Sequence, residues 1–258
     1  LLNIAYMTLG EYPEKVPEKW LIHPTVFESE YLLPKFKDRA ADIGFDLNGL
    51  AGGLIVDDLD NDGYLDIFVS EWGPNDRLHY MHNNGDGTFS DISDTSGIAE
   101  LTGGLNLIQA DYNNDGFLDI LVLRGAWLEH FGKQPNSLFR NNGDNTFTDV
   151  TIPSGLFSLH PTQAATWNDF NNDGWLDLFI GNESAGRPDA FHFSELFINN
   201  QDGTFTESIK EWTNHLSLFS MGADMADINN DGKSDIFVTD MHPENDERLK
   251  MTTTFETY

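Results

Sequence analysis

The chain has 258 residues, and its 43 Asp and Glu against 14 Lys and Arg give a formal net charge of −29. A chain of this length can bury a substantial core. The negative charge argues against a nucleic-acid or anionic-membrane partner, and the absence of cysteine excludes a disulfide framework and a zinc–cysteine site. The longest apolar stretches are strand-sized, so no direct membrane insertion is predicted.

The first 33 residues differ from the rest of the chain. Residues 1–9 have an apolar pattern compatible with a helix, which ends at Gly10. The following residues, up to 34, are interrupted by four prolines, which is typical of an extended linker. We therefore predict a helical tail and a Pro-rich linker over residues 1–33, and a second domain over residues 34–258. Because the chain begins without Met or a signal-peptide pattern, we expect it to be processed or to belong to a longer chain or larger complex.

A nine-residue acidic loop occurs four times in the second domain. Its first, third, fifth and ninth positions carry oxygen-bearing side chains, and its sixth position is glycine. Carboxylates crowded in this way repel each other, whereas a hard cation that takes six to eight oxygen ligands, usually Ca²⁺, removes the repulsion. The backbone carbonyl of the seventh residue would complete the ligand shell. The predicted ligands are Asp58, Asp60, Asp62, Tyr64 and Asp66; Asp111, Asn113, Asp115, Phe117 and Asp119; Asp169, Asn171, Asp173, Trp175 and Asp177; and Asp227, Asn229, Asp231, Lys233 and Asp235.

An EF-hand loop begins with the same spacing, but it requires a Glu at position twelve and a helix on each side. Position twelve is Val69, Val122, Ile180 or Val238, in β-branched runs that are typical of strands. We therefore predict four calcium loops between strands, with about one Ca²⁺ in each. The alternative, acidic surface turns without a metal, does not account for four copies in one register.

Four strands are predicted in each repeat. In the first repeat, strand A covers residues 53–56, strand B 66–70, strand C 77–82 and strand D 88–92. Strands C and D are joined by a hairpin of the Asn-Asn-Gly-Asp-Gly type, whose residues supply the positive φ angles of tight turns. The hairpins recur every 58 residues, and the acidic loops are spaced by 53, 58 and 58 residues. A four-stranded repeat of this length is typical of a β-propeller blade.

The predicted fold class is all-β: a β-propeller of four-stranded antiparallel blades with calcium-binding loops between strands A and B. The blades cover approximately residues 51–93, 104–151, 162–210 and 219–258, the last with strands A and B only. Residues 36–38 match the start of strand D and are predicted to be a lone D strand. Propellers usually close with four to eight blades. We therefore expect a ring of the seven-bladed type that residues beyond Tyr258 complete.

Residues 53–69 resemble the FG-GAP repeat of integrin α-subunit propellers and the related VCBS repeat. The hairpins, with Ser96-Gly97-Ile98 after the first of them, are similar to the cartilage acidic protein family, whose bacterial members often carry a C-terminal ASPIC/UnbV domain. Further stretches similar to bacterial members are residues 103–106, 123–128 and 160–163. The resemblance covers residues 34–246. It implies a calcium-stabilised, secreted or surface-exposed propeller used for interaction, with no settled enzymatic activity.

The loops between strands B and C are long and irregular, and they are expected at the end of the blades opposite the calcium loops. Aromatic and Arg side chains on long loops of a rigid scaffold are typical binding anchors. The alternative is that these side chains fill gaps between blades or pack on further blades. The residues predicted to border a contact surface are Arg124, Trp127, His130 and His160.

No Ser-His-Asp arrangement, zinc-ligand spacing or phosphate-binding loop is recognisable, so no catalytic residue is predicted. The predicted function is a calcium-binding, adhesion-type interaction module that is extracellular, at the cell surface or periplasmic. Its partner would be a protein or a surface polysaccharide. The alternative is a carbohydrate-directed propeller, either a lectin or a lyase- or dehydratase-like enzyme, with Trp stacked beside His or Arg between blades.

Overall fold

A computed structural model describes residues 1–28, 31, 36–128, 131–183, 193–213, 217 and 220–240. The chain forms two compact units, Leu1–Arg39 and Ala40–Tyr258. Within the described residues, no helix has the length and apolar character needed to cross a membrane.

The first unit contains the helix α1 (Leu2–Thr8) and two 3₁₀ helices, Glu18–Trp20 and Pro24–Phe27. Buried Asn3 connects these segments. Its Nδ2 donates to the carbonyl of Trp20 at 2.8 Å, and its Oδ1 accepts the amide of Ile22 at 3.0 Å. The proline-containing segment therefore folds back on α1, which differs from the extended linker predicted for it.

The second unit is built from four antiparallel sheets among the described residues, and within each sheet strands that are consecutive in the chain are paired. The strands of the three four-stranded sheets are β1 (Ala51–Asp57), β2 (Asp66–Glu71), β3 (His79–Asn83) and β4 (Phe89–Asp91); β5 (Asn106–Ala110), β6 (Asp119–Leu123), β7 (Ser137–Asn141) and β8 (Phe147–Asp149); and β9 (Thr162–Asn168), β10 (Asp177–Asn182), β11 (Glu195–Asn199) and β12 (Phe205–Glu207). The short helix α2 (Ile209–Trp212) follows, and β13 (Ser220–Ala226) pairs with β14 (Asp235–Asp240). The predicted all-β class with four-stranded antiparallel blades is confirmed.

The second strand of each blade begins at the ninth position of an acidic loop. The residue pairs that close the first hairpin of each sheet are Asp57 with Asp66, Ala110 with Asp119, Asn168 with Asp177, and Ala226 with Asp235. Strands β6 and β10 are buried at every position, as expected for apolar strands that lie between two neighbours in a sheet covered on both faces. Each acidic loop is therefore the connection of a hairpin, and in the three complete blades the second strand of that hairpin is anchored in the core.

Residues 36–38 do not form the lone D strand that the sequence predicts. A D strand pairs with the C strand of its own blade, as β4 pairs with β3, and no described residue before position 36 belongs to a strand. The turn at Gly44, which follows this segment, makes the same contact as the turn at Gly97 in the first repeat. Gly44, with a φ of 94°, approaches the carbonyl of Phe89 too closely for a Cβ atom, and Gly97 approaches the corresponding carbonyl of the next blade.

Aromatic side chains of the fourth strands fill the core shared with the preceding blade. Phe147 of β8 is 4 % exposed and lies edge-on to Phe68 and Tyr80 of the first blade, at centroid distances of 5.8 and 5.6 Å. Phe205 of β12 likewise contacts Tyr112 of the second blade at 5.5 Å. Neighbouring blades therefore share hydrophobic clusters instead of having one core each.

Replacing Phe147 by Ala should lower the free energy of unfolding by about 3–5 kcal/mol, because the buried ring is lost and a cavity remains. The matched control is Phe157→Ala, since Phe157 is exposed, and its effect should be below about 1 kcal/mol. Urea unfolding followed by tryptophan fluorescence measures both. Equal losses for the two variants would contradict a core shared between blades.

Candidate metal centres

The four acidic loops have the same hydrogen-bonded backbone. In the first loop, the two carboxylate oxygens of Asp58 accept the amides of Asp62 and Gly63 at 3.1 and 3.0 Å, and Asp62 accepts the amide of Tyr64 at 2.8 Å. The first two bonds recur in the other three loops at 2.8–3.0 Å, and the third recurs at 2.9 Å. Backbone amides therefore orient the carboxylates of positions one and five.

The fourth and sixth positions of each loop have a left-handed backbone conformation. The four asparagines at position four have φ values of 56–61°, and the four glycines at position six have φ values of 83–91°. Asparagine and glycine tolerate this conformation, which is costly for most other residues. Asparagine at position four and glycine at position six therefore recur because the loop turns sharply at these two positions. The turn brings the side chains of positions one, three and five towards each other.

The ninth-position carboxylates of the first three loops are buried. Asp66, Asp119 and Asp177 are at most 1 % exposed. Oδ1 of Asp119 accepts the amide of Asn141 at 2.8 Å. Its Oδ2 is buried and makes no hydrogen bond of regular geometry among the described residues, although the amide of Tyr112 faces the carboxylate. The equivalent oxygens of Asp177 and Asp66 have partners, the amide of Phe170 at 2.9 Å and the hydroxyl of Tyr80 at 3.1 Å. Desolvation by burial raises the pKa of Asp119 to about 8 and also raises the pKa of Asp66 and of Asp177. Ionised carboxylates in this environment are destabilised unless a positive charge lies beside them.

The predicted ligands at positions three and seven have the following surroundings. At position three, the side-chain amides of Asn113 and Asn171 donate to the fifth-position carboxylates at 2.9 Å. At position seven, the rings of Tyr64 and Phe117 lie over glycines of the C–D hairpins, Gly85 and Gly143. The metal-binding role of the seventh-position carbonyls stays a prediction.

The asparagine that opens each C–D hairpin also positions the loops, a role that the sequence analysis missed. Nδ2 of Asn141 donates to the carbonyl of Leu118 in its own loop at 3.1 Å and to that of Leu59 in the preceding blade at 2.7 Å. Asn199 makes the same pair of contacts in the third blade, at 3.0 and 2.9 Å. The sequence contains a signal for this role, because the first residue of every hairpin motif is asparagine.

Neighbouring loops are also hydrogen-bonded directly to each other. Nδ2 of Asn61 donates to the carbonyl of Gly116 at 3.1 Å, and Nδ2 of Asn114 donates to that of Gly174 at 3.4 Å. The first three loops therefore form a connected row along one end of the blades.

The opposite end of the blades requires a correction, because Arg124 does not border a contact surface. It is 4 % exposed, and its Nε donates to the carbonyls of Thr102 and Gly103 at 2.8 and 3.2 Å. Its Nη1 donates to the carbonyl of Pro135 and the hydroxyl of Ser137 at 3.1 and 2.7 Å. Desolvation by burial lowers the pKa of Arg124 to about 10. The guanidinium group therefore holds two loops together, and its burial keeps it from a partner.

The other predicted contact residues have different environments. Trp127 is exposed, has a φ of 66°, and donates its amide to the buried carboxylate of Glu183 at 3.0 Å. His160 is partly buried. His130 lies outside the described residues. The structure thus leaves Trp127 as the most exposed of the three predicted contact residues that it describes.

The repeated blade and its loops define a class of protein: a propeller-type repeat protein whose blades carry an acidic loop between their first two strands. The sequence model of the FG-GAP-like repeat family matches residues 58–122, 127–180 and 169–238. These segments contain all four acidic loops and more than half of the chain. The chain therefore belongs to the FG-GAP-like repeat family, as its sequence resemblance predicts.

Curated relatives of the chain are cartilage acidic proteins. Cartilage acidic protein 1 of Xenopus tropicalis is 32 % identical over 157 residues, which cover 58 % of this chain and 22 % of the relative. The Homo sapiens and Mus musculus proteins of the same name are 29 % identical over 188 residues and 31 % over 187 residues, in each case 70 % of this chain and 26 % of the relative. The predicted resemblance to the cartilage acidic protein family is confirmed, and the chain spans about a quarter of the length of these relatives.

Replacing Asn141 by Ala should lower the free energy of unfolding by about 2–3 kcal/mol, because two buried carbonyls lose their common donor. The neighbouring Asn142 is a matched control, since it is exposed and bonds only within its hairpin. Thermal unfolding of Asn141→Ala and Asn142→Ala makes the comparison. If Asn142→Ala is as destabilising as Asn141→Ala, the link between the loops does not contribute to stability.

Proposed function

We propose that this chain is a calcium-stabilised interaction module that works outside the cell or at its surface, with one Ca²⁺ in each acidic loop. The observation that carries the proposal is the buried carboxylate of Asp119, whose Oδ2 makes no hydrogen bond of regular geometry among the described residues, at the end of a loop whose other carboxylates are oriented by the same backbone turn. Leaving such an oxygen ionised and uncompensated is costly. A bound cation offsets that cost.

The donor groups of the loops fit calcium. In the second loop, Asp111, Asn113, Asp115 and Asp119 offer only oxygen atoms, and Ca²⁺ takes six to eight oxygen ligands in flexible geometry. The ion supplies positive charge among the carboxylates when it is bound. The protein supplies the orientation: backbone amides fix positions one and five, and Asn141 fixes the carbonyl of Leu118 beside the start of β6.

The extracellular placement is supported by the calcium requirement and by the family. Sites with dissociation constants of ~10⁻⁴–10⁻³ M fill at extracellular calcium levels. Repeats of the FG-GAP type generally mediate protein interactions, and the curated relatives carry the name of a cartilage protein. We infer a non-enzymatic module whose partner is a protein or a surface polysaccharide. The net charge of −29 favours a cationic or calcium-bridged contact.

Calcium removal should lower the melting temperature sharply, because each site held at ~100 times its dissociation constant adds ~2.7 kcal/mol of stability. Asp119→Asn gives a sharper test, since it keeps the size of the side chain and removes the buried charge. In saturating calcium the variant should melt below the wild type and bind one ion fewer. In excess chelator it should melt at the same temperature or higher, because the uncompensated charge is gone.

The matched control is Asp94→Asn, which should not show the opposite effects on melting temperature that Asp119→Asn shows in calcium and in chelator. Asp94 is an exposed carboxylate outside the acidic loops, so its replacement should leave the bound calcium unchanged. Differential scanning calorimetry and the ion count from equilibrium dialysis against millimolar Ca²⁺ provide the two readouts. A melting temperature that chelator does not change, or an unchanged ion count in Asp119→Asn, would exclude calcium from the second loop.

Carbohydrate binding is the second candidate function, because a groove between the second and third blades has a suitable lining. The groove has a volume of about 540 Å³, and its walls include Phe117, Trp175, Arg140 and Gln201. Aromatic faces with a few polar groups between them are typical of small-molecule sites of this size. This groove lies at the acidic-loop end, not at the end where the sequence analysis expects the contact surface.

A glycan array distinguishes the two candidates. If the groove binds a sugar, Trp175→Ala should abolish the array signal, because the stacking face is removed while the backbone carbonyl of the residue is kept. Trp127→Ala, at the other end of the blades, is the matched control and should leave the signal unchanged. An array on which the wild-type protein binds no glycan would exclude this second function for the sugars tested.

A further inference from the structure

A histidine lies beside the first acidic loop. Nδ1 of His82, on β3, is 3.4 Å from Oδ2 of Asp60 and 3.3 Å from Oδ1 of Asp66. This nitrogen atom is fully buried, and it makes no hydrogen bond within the described part of the chain. The ligand atoms of Asp60, Asp62 and His82 all lie within 4.8 Å of one another. Small side-chain adjustments would bring them onto one ion.

The other complete blades lack this nitrogen atom. At the same register position, one residue before the hairpin asparagine, β7 carries Arg140 and β11 carries Ile198. The third position of the loop also differs, because it is Asp60 in the first loop and asparagine in the other three. The first loop therefore offers one additional carboxylate and one additional nitrogen donor on an otherwise common backbone.

The additional donors change the metal preference that the loop should have. Ca²⁺ is bound by oxygen atoms, whereas imidazole nitrogen suits first-row transition ions and carboxylates also suit Mn²⁺. A set of four carboxylates and one imidazole combines both preferences. The competing explanation is an imidazolium that forms ion pairs with Asp60 and Asp66 and occupies the position of a metal.

We propose that the first loop, residues 58–66 together with His82, is a site for a divalent first-row transition ion such as Mn²⁺, while the other three loops take Ca²⁺. The ion would be bound by Nδ1 of His82 and by the carboxylates of Asp60 and Asp62, with Asp58 and Asp66 beside them. This inference rests on the proposed function, in which the acidic loops bind divalent cations.

The direct test uses pulsed electron paramagnetic resonance of the full chain with one equivalent of Mn²⁺ in excess Ca²⁺. The wild-type protein should show a nitrogen coupling from a bound imidazole. His82→Gln should remove this coupling and weaken Mn²⁺ binding by roughly tenfold or more, as losses around metal ligands commonly do. The matched control is His79→Gln, on the same strand, because His79 instead bonds Asp91 at 3.1 Å; the coupling should remain.

A gain-of-function variant keeps the proposal testable even if His82→Gln fails to fold. Asn113→Asp combined with Arg140→His gives the second loop the donor set of the first. Both positions are at least partly exposed, so the change should be tolerated. The double variant should bind a second Mn²⁺ with a nitrogen coupling in excess Ca²⁺, and an unchanged count of one would overturn the proposal.

The outcomes separate this inference from the proposed function. If none of the loops binds Ca²⁺ or Mn²⁺ in equilibrium dialysis at millimolar ion concentration, the proposed function itself is wrong. If the loops retain Ca²⁺ but Ca²⁺ displaces Mn²⁺ completely, or Mn²⁺ binds without a nitrogen coupling, only the inference about His82 is wrong. An ion-paired histidine is then the better explanation of the short distances.

Discussion

Each complete blade depends on a carboxylate that is buried where its second strand begins. One oxygen of Asp66, Asp119 or Asp177 accepts the amide of the hairpin asparagine at 2.8 Å, which joins the B and C strands at the loop end. The same carboxylate carries a charge into a desolvated place, and its pKa is raised as a consequence. Desolvation therefore favours a proton or a cation beside this carboxylate over an isolated negative charge.

The buried carboxylate of the first blade is linked to the second blade through Tyr80. The hydroxyl of Tyr80 lies 3.1 Å from Asp66 and 2.7 Å from Oδ1 of Asn145 in the second blade. The ring of Tyr80 packs against Phe147 of that blade. A disturbance of the first loop thus reaches both the hairpin and the core of its neighbour, as expected for repeat proteins whose stability resides largely in the interfaces between repeats.

Sequence reasoning predicted the A and B strands and the loops well, because ligand spacing and β-branched runs are local signals. It placed the start of strand C at residue 77, whereas β3 begins at His79 and Arg77 forms an isolated bridge with Thr102. It also assigned Arg124 to the surface. Only the fold shows that the carbonyls of Thr102 and Gly103 converge on its guanidinium group. The carbonyl of Pro135 and the hydroxyl of Ser137, at the start of β7, do so as well. Such convergence joins residues far apart in sequence, and no local pattern encodes it.

The loops share a backbone but not all of their side chains, and this division permits chemical change without refolding. The turn is fixed by amides, by asparagine at position four and by glycine at position six, none of which contributes a side-chain ligand. The residue before the hairpin asparagine is outside that framework, and the third position accepts the amide of position five in the first three loops whether it is Asp or Asn. These two positions carry Asp60 and His82 in the first blade and Asn113 and Arg140 in the second, at the same register. The donor atoms at these two positions can therefore differ from blade to blade while the backbone of the loop stays the same.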